Sequence, residues 1–95
     1  SIEDYDVLAR KRQEIDILDD ELLNLLSSRM NIAREIGRYK KKHNITILQI
    51  SRWNEIIERA SAKGEKIGLS KEFITKYLDA IHMESINHQK KVLDA

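Results

Sequence analysis

Leu22-Leu23-Asn24-Leu25-Leu26-Ser27-Ser28-Arg29-Met30-Asn31-Ile32-Ala33-Arg34-Glu35-Ile36-Gly37-Arg38-Tyr39-Lys40 reads as one side of a long helix with a cation set into it. Leu22 and Ile36 continue a seven-residue recurrence that begins at Leu8 and Ile15, and Leu18, Leu25 and Ile32 fill the second heptad seam. The slot between Leu22 and Ile36 is Arg29. Lys40 follows on nearly the same face, about three turns further along at roughly 3.6 residues per turn. A cation in an apolar helix seam is costly unless an anion meets it. That anion is either a carboxylate of the protein or a ligand.

Outward from this stretch, nothing breaks a helix from about Asp6 to Lys42. Proline is absent and the apolar spacing keeps a period of about 3.5 to 3.6. Arg38, Lys40, Lys41, Lys42 and His43 suit the negative end of the helix dipole. They read as a solvated helix end or as a phosphate-binding patch. Asn44 is a C-terminal stop. Ile45 to Leu48, β-branched and apolar, is expected to be a connector packing inward. The spacing predicts a second helix over about 49–63, with Trp53, Ile56, Ile57 and Ala60 inward, and a loop from Gly64 to Gly68. Ser70 is the expected N-cap of a third helix reaching about Leu93, with Leu69 stapled onto Ile74. Ile74, Leu78, Ile81 and Val92 mark its apolar stripe.

Ninety-five residues make one domain, residues 1–95. The fold expected is all-α, a three-helix subunit with a long first helix. A net charge of +1 with both signs interspersed argues against nucleic acid. With no cysteine there is neither a disulfide framework nor a thiolate metal site. No basic, apolar leader is visible, and no apolar run approaches the roughly 20 residues that span a bilayer. The expectation is a cytoplasmic protein without membrane contact.

Length bears on assembly. A first helix of about 37 residues measures roughly 55 Å, against a diameter of about 32 Å for a globule of this size. A monomer would leave its seam wet, so an intertwined homodimer of long helices is expected. Arg12 and Arg29 sit about 25 Å apart along one helix. In a two-fold dimer of antiparallel helices, Arg12 of one subunit can approach Arg29 of the other. The competing readings are a surface arginine for Arg12, and for Arg29 an internal salt bridge to Asp19 or Glu35 across the dimer.

The third helix carries a second anomaly. Ser85 and Gln89 lie one turn apart on the stripe of Ile81 and Val92, as a polar interhelix network or as hydrogen-bond donors to a ligand. Arg52 opens the second helix, where free backbone N–H groups favour an anion; otherwise it is an exposed helix arginine. His43, His82 and His88 lack ligand spacing, and no metal or cofactor is expected. Glu84 and His88 read as a surface ion pair. No nucleophile elbow, glycine-rich phosphate loop or carboxylate pair stands out. What remains is cationic and neutral, suited to an anionic small molecule whose reaction needs positioning and charge stabilisation.

Taken in order, Arg12-x-x-Ile15-x-x-Leu18-Asp19, Leu22-Leu23-x-Leu25-Leu26-x-x-Arg29, Ile36-Gly37-x-x-Lys40, Arg52 and Glu84-Ser85-x-x-x-Gln89 resemble the all-helical class of chorismate mutase over about residues 5–92. The resemblance implies an intertwined dimer whose pockets take Arg12 from one chain and Arg29, Lys40, Arg52, Ser85 and Gln89 from the other. It implies the Claisen rearrangement of chorismate to prephenate, on the way to phenylalanine and tyrosine. Lys40, Gln89 and Arg29 would be catalytic, and Gln49 and Trp53 would join the others in binding substrate. The run Gly37-Arg38-Tyr39-Lys40-Lys41-Lys42-His43 with Leu48-Gln49-x-Ser51-Arg52 also resembles mutase domains fused to DAHP synthases, which implies such a domain fused or associated here.

Two positions depart from the family pattern. Trp53 stands where many members carry a glutamate that accepts from the substrate's ring hydroxyl, and Gln49 stands where an aspartate is common. A slower isolated catalyst is therefore expected. Two other readings compete: an isochorismate–pyruvate lyase on the same fold, and a non-catalytic helical dimer that regulates a partner.

Overall fold

The structure is a computed structural model that describes residues 1–95. It contains three helices and no strand: α1 (Ile2–Lys42), α2 (Ile50–Lys66) and α3 (Lys71–Asp94). This is the all-α, three-helix chain with a long first helix that the spacing predicts. At 41 residues α1 starts four positions earlier than expected, with Glu3 and Asp4 in its first turn and Lys40, Lys41 and Lys42 in its last. Both groups of charges complement the helix dipole. No helix is long and apolar enough to cross a membrane.

The chain divides into two compact units, residues 1–31 and 32–95. The first is a single helical segment. Its apolar seam is exposed: Leu8 is 47%, Ile15 56%, Leu18 57%, Leu22 57% and Leu25 67% accessible. The second unit holds the last turns of α1 with α2 and α3. Ala33, Ile74, Leu78 and Ile81 are its buried apolar side chains. The three on α3 follow the expected stripe, while Val92 is half-buried. α2 and α3 pack against each other.

Both helix exits are built alike. At the end of α1, Asn44 takes φ 53°. The Ile45 N–H donates to the Lys40 carbonyl at 2.9 Å and the Asn44 N–H to the Lys41 carbonyl at 3.4 Å. At the end of α2, Gly68 takes φ 85°. The Leu69 N–H donates to Gly64 at 2.9 Å and the Gly68 N–H to Glu65 at 3.4 Å. These are paired 6→1 and 5→2 closures around a left-handed residue, which satisfy the last free carbonyls. Ser70 then caps α3, its hydroxyl accepting from the Phe73 N–H at 3.1 Å.

Two local expectations need correction. Gly64 does not begin a loop. α2 runs through it to Lys66, because a side chain there would meet Ile74 at 2.8 Å and its absence lets α3 come close. The connector does not pack inward either. Ile45 and Leu48 are exposed and Ile47 is half-buried. Ile47 is held through its carbonyl, as described below. On α2, Trp53, Ile56 and Ala60 are half-buried as an inward face requires, and Ile57 stands at its exposed margin.

Glu84 and His88 approach at 3.9 Å, with a second tie that spacing did not reveal. Arg34 lies 2.7 Å from His88 Nδ1. A guanidinium only donates, so Nδ1 accepts and the ring proton sits on Nε2, toward Glu84.

A side chain at Gly68 would meet nothing within 4 Å, so replacing it isolates the backbone term. Gly68→Ala is expected to lower stability by about 1–2 kcal/mol through the left-handed conformation alone. Gly68→Asn should recover part of that loss, and urea unfolding of both variants measures it. Ser70→Ala should cost about 1 kcal/mol by loss of the cap.

Candidate functional site

Lys40, in the last turn of α1, is the centre of a polar cluster in the second unit. Its ammonium donates to the Gln89 Oε1 at 2.8 Å and to the Ile47 carbonyl at 2.5 Å. Gln89 Nε2 in turn donates to Ser85 Oγ at 3.3 Å. Gln89 is buried, and Lys40 and Ser85 are half-buried. Burial pushes the Lys40 ammonium below the ordinary lysine value of 10.5, since desolvation disfavours its charged form.

The backbone makes this cluster possible. Gly37, one turn before Lys40, is buried against α3. A Cβ there would lie 3.1 Å from Gln89 Cα and 3.3 Å from its carbonyl oxygen. Only the missing side chain lets α1 and α3 approach until a lysine and a glutamine from them meet. Ser85 and Gln89, one turn apart on α3, share a face by helical periodicity.

Both acceptors on the ammonium are neutral oxygens. The expectation that an anion meets the seam cations is therefore not fulfilled by a protein carboxylate at Lys40. A lysine ammonium has three N–H donors and two are used here. Gln89 keeps one N–H, and the Ser85 hydroxyl, accepting from Gln89, keeps its own hydrogen to give. Three donors thus remain in one cluster, with a net positive charge and no acid among its hydrogen-bonded members. Such a set stabilises an anion or an oxygen gaining negative charge.

The other expected site residues lie as follows. Gln49 is the N-cap of α2; its carbonyl accepts from the Trp53 N–H at 3.0 Å and its Nε2 donates to the Thr46 carbonyl at 2.8 Å. Arg52 is exposed and 3.6 Å from Glu55 one turn on. Trp53 is half-buried and stacks on His82 with ring centroids 3.9 Å apart and planes at 20°. Arg12 and Arg29 belong to the first unit. Arg12 is exposed; Arg29 is half-buried and forms no ion pair with Asp19 or any other acid of the first unit.

Three participants escaped the sequence reading. The Ile47 carbonyl carries no side-chain signal. Gly37 was read only as part of the family pattern, although a lone glycine inside the first helix is a signal of close approach. His82 stands seven residues before Gln89, hence on the same face of α3.

Comparison with known proteins adds independent findings. The family profile described as Chorismate mutase type II matches residues 11–90. The bifunctional chorismate mutase/prephenate dehydratase of Buchnera aphidicola subsp. Acyrthosiphon pisum is 33% identical over 82 residues, 86% of this chain and 21% of that protein. The Escherichia coli K12 protein of the same name is 30% identical over 82 residues, again 86% of this chain and 21% of its own length. The 4-amino-4-deoxychorismate mutase of Streptomyces venezuelae is 32% identical over 77 residues, 81% of this chain and 75% of that protein. The chain thus spans about a fifth of the two bifunctional relatives. No solved structure gives a significant match.

Gly37→Ala tests the close approach. Alanine favours a helix by about 1 kcal/mol over glycine, but the new methyl meets α3 backbone at 3.1 Å. A net destabilisation of about 1–3 kcal/mol is expected, as for overpacking. Thermal unfolding checks the sign: a gain in stability would show that the helices separate without cost.

Proposed function

Starting from the chain's membership of the chorismate mutase type II family, we propose that it rearranges chorismate to prephenate by orienting the substrate and stabilising charge, without a covalent intermediate. The observation that carries this is the Lys40–Gln89–Ser85 cluster, with three free donors and no acid. In the rearrangement the bond from the ring to the ether oxygen breaks as a carbon–carbon bond forms, and negative charge grows on that oxygen. Lys40 and Gln89 donate to it. Donors aimed at developing charge are each worth about 3 kcal/mol.

The substrate is a dianion. Planar guanidinium groups suit its carboxylates because they bind two oxygens at once. We assign these to Arg29 and to the partner subunit's Arg12, with Arg52, Gln49 and Ser85 completing the binding set. Clamping both carboxylates holds the side chain over the ring, which recovers part of the roughly 7–11 kcal/mol available to ideal positioning. Support for the homodimer comes from the exposed seam of Leu8, Ile15, Leu18 and Leu22, whose burial along a second copy would be stabilising. Arg29, half-buried without an acid partner in the first unit, fits a role toward a ligand.

A longer or associated enzyme is part of the proposal. Relatives in Buchnera and Escherichia coli are bifunctional, and the run from Gly37 to His43 resembles domains joined to DAHP synthase. A second substrate is considered because Trp53, stacked on His82, stands where the family resemblance implies an acid that accepts from the ring hydroxyl. The Streptomyces relative is named for the amino counterpart of chorismate, and that compound is a candidate substrate here.

Incubating the protein with chorismate should consume its ultraviolet absorbance and yield prephenate; release of pyruvate from isochorismate instead would establish the lyase reading. Lys40→Ala and Gln89→Ala should each lose about 10²–10³ in kcat. Arg29→Ala should abolish turnover and leave sedimentation as a dimer unchanged; retained turnover would remove Arg29 from the site, and a wild type that turns over no substrate would support the non-catalytic reading. The pH profile has a fixed sign. Lys40 works as an ammonium and burial lowers its pKa, so kcat/KM should fall, as pH rises, before the ordinary 10.5 is reached. No acid limb should come from the neutral Gln89. Gln89→Glu should create one, with activity surviving only where the new carboxyl is protonated.

A further inference from the structure

Gly37 brings α1 and α3 together backbone to backbone, with Gln89 Cα 3.1 Å from where a Cβ of Gly37 would stand. Such a contact sets how close the helices come. It has no side chain to stop α3 from rolling about its own axis. At about 100° per residue, Arg34 and Lys40, three positions before and after Gly37, stand roughly 60° to either side of the contact line. Lys40 reaches Gln89. Arg34 reaches the residue before it, with Nη1 2.7 Å from Nδ1 of His88. Arg34 and His88 are both half-buried and lie outside the donor cluster.

The chemistry of this tie is conditional. A guanidinium donates and never accepts, so Nδ1 must offer its lone pair and the ring is neutral with its proton on Nε2. A second proton goes to Nδ1. There it would set N–H against N–H and one cation against another, so the tie and an imidazolium exclude each other. Another partner is in place: exposed Glu84, one turn back on α3, lies 3.9 Å from Nε2. A protonated His88 therefore keeps a partner on its own helix and loses the one on α1. Arg34 and Glu84 are the charged groups that meet the ring. Lys91, three residues further along α3, is exposed. α2 reaches α3 through Trp53 on His82 and sends no hydrogen bond or ion pair to His88.

We propose that His88 is a positioning residue: tied to Arg34 as a neutral imidazole, it holds the turn of α3 on which Gln89 meets Lys40, and a proton on its ring releases that hold. The proposal rests on the function given above. Lys40 and Gln89 act on charge that develops at the ether oxygen. Losing their register therefore harms the transition state more than the bound substrate, and kcat falls with little change in KM. Histidine is the side chain that ordinarily changes charge between about pH 5 and 8. Activity should fall as pH drops through the titration of His88. Gln89 does not titrate, so this acid limb belongs to its neighbour.

Nuclear magnetic resonance of the protein alone, together with chorismate turnover against pH, makes the test. The ring nitrogens of His88 should report the Nε2–H form at neutral pH, and the Gln89 side-chain amide should shift with the His88 midpoint. Wild-type kcat should fall several-fold toward acid with that same midpoint. His88→Gln offers Arg34 an amide oxygen at every pH; it should keep the neutral kcat and lose the acid limb. His88→Phe offers no acceptor and should show a lowered kcat without the limb, its folding checked by thermal unfolding. An Nδ1–H ring at neutral pH, or a Gln89 amide that ignores the His88 titration, would overturn the proposal. So would a wild-type kcat that holds level through the His88 midpoint, or an acid limb that survives in His88→Gln. Failure to turn over chorismate would overturn the proposed function instead, and the amide titration would still decide whether His88 governs Gln89.

Discussion

A lysine ammonium held by two neutral oxygens organises the second unit. Lys40 draws together the end of α1, the connector through the Ile47 carbonyl, and α3 through Gln89. Were either acceptor a carboxylate, the pair would be internally neutral. Carbonyl and amide oxygens satisfy the N–H groups and leave the positive charge uncompensated. Partial burial lowers the dielectric around it, which strengthens its field toward an anion and also makes the charged form harder to hold. The same compromise explains both the depressed pKa and the aptitude for a developing negative oxygen.

Elements governed by local chemistry were legible in the amino-acid order. The spacing of Leu8, Ile15, Leu22 and Ile36 announced a long helix, Asn44 its end and Ser70 the next beginning, since caps and periodicity are decided within a few residues. Ser85 and Gln89 were legible for a related reason: polar groups on an apolar stripe are conspicuous. The contact of Lys40 with Ile47 was not, because a backbone carbonyl is the same in every residue. Gly64 read as a loop because a glycine weakens a helix unless tertiary packing outweighs it, and here Ile74 fills its place. The stack of Trp53 on His82 depends on the register of α2 against α3, which no window along one helix encodes.

The two units differ in how they acquire stability. Residues 32–95 bury Ala33, Ile74, Leu78 and Ile81 among three helical segments. Residues 1–31 have a periodic seam that the chain itself leaves in solvent. Most helical stability in proteins comes from packing an apolar face, not from propensity. The order of the first unit is therefore linked to whatever covers that seam.

Lys40 has a neighbour with a different attachment. Lys41 donates to the carbonyl oxygens of Val92 at 3.5 Å and Ala95 at 2.6 Å, in the closing turn of α3. Adjacent residues of one helix thus grip the last two turns of another. A shift of the closing turn of α3 therefore reaches the Lys40 ammonium across a single peptide unit.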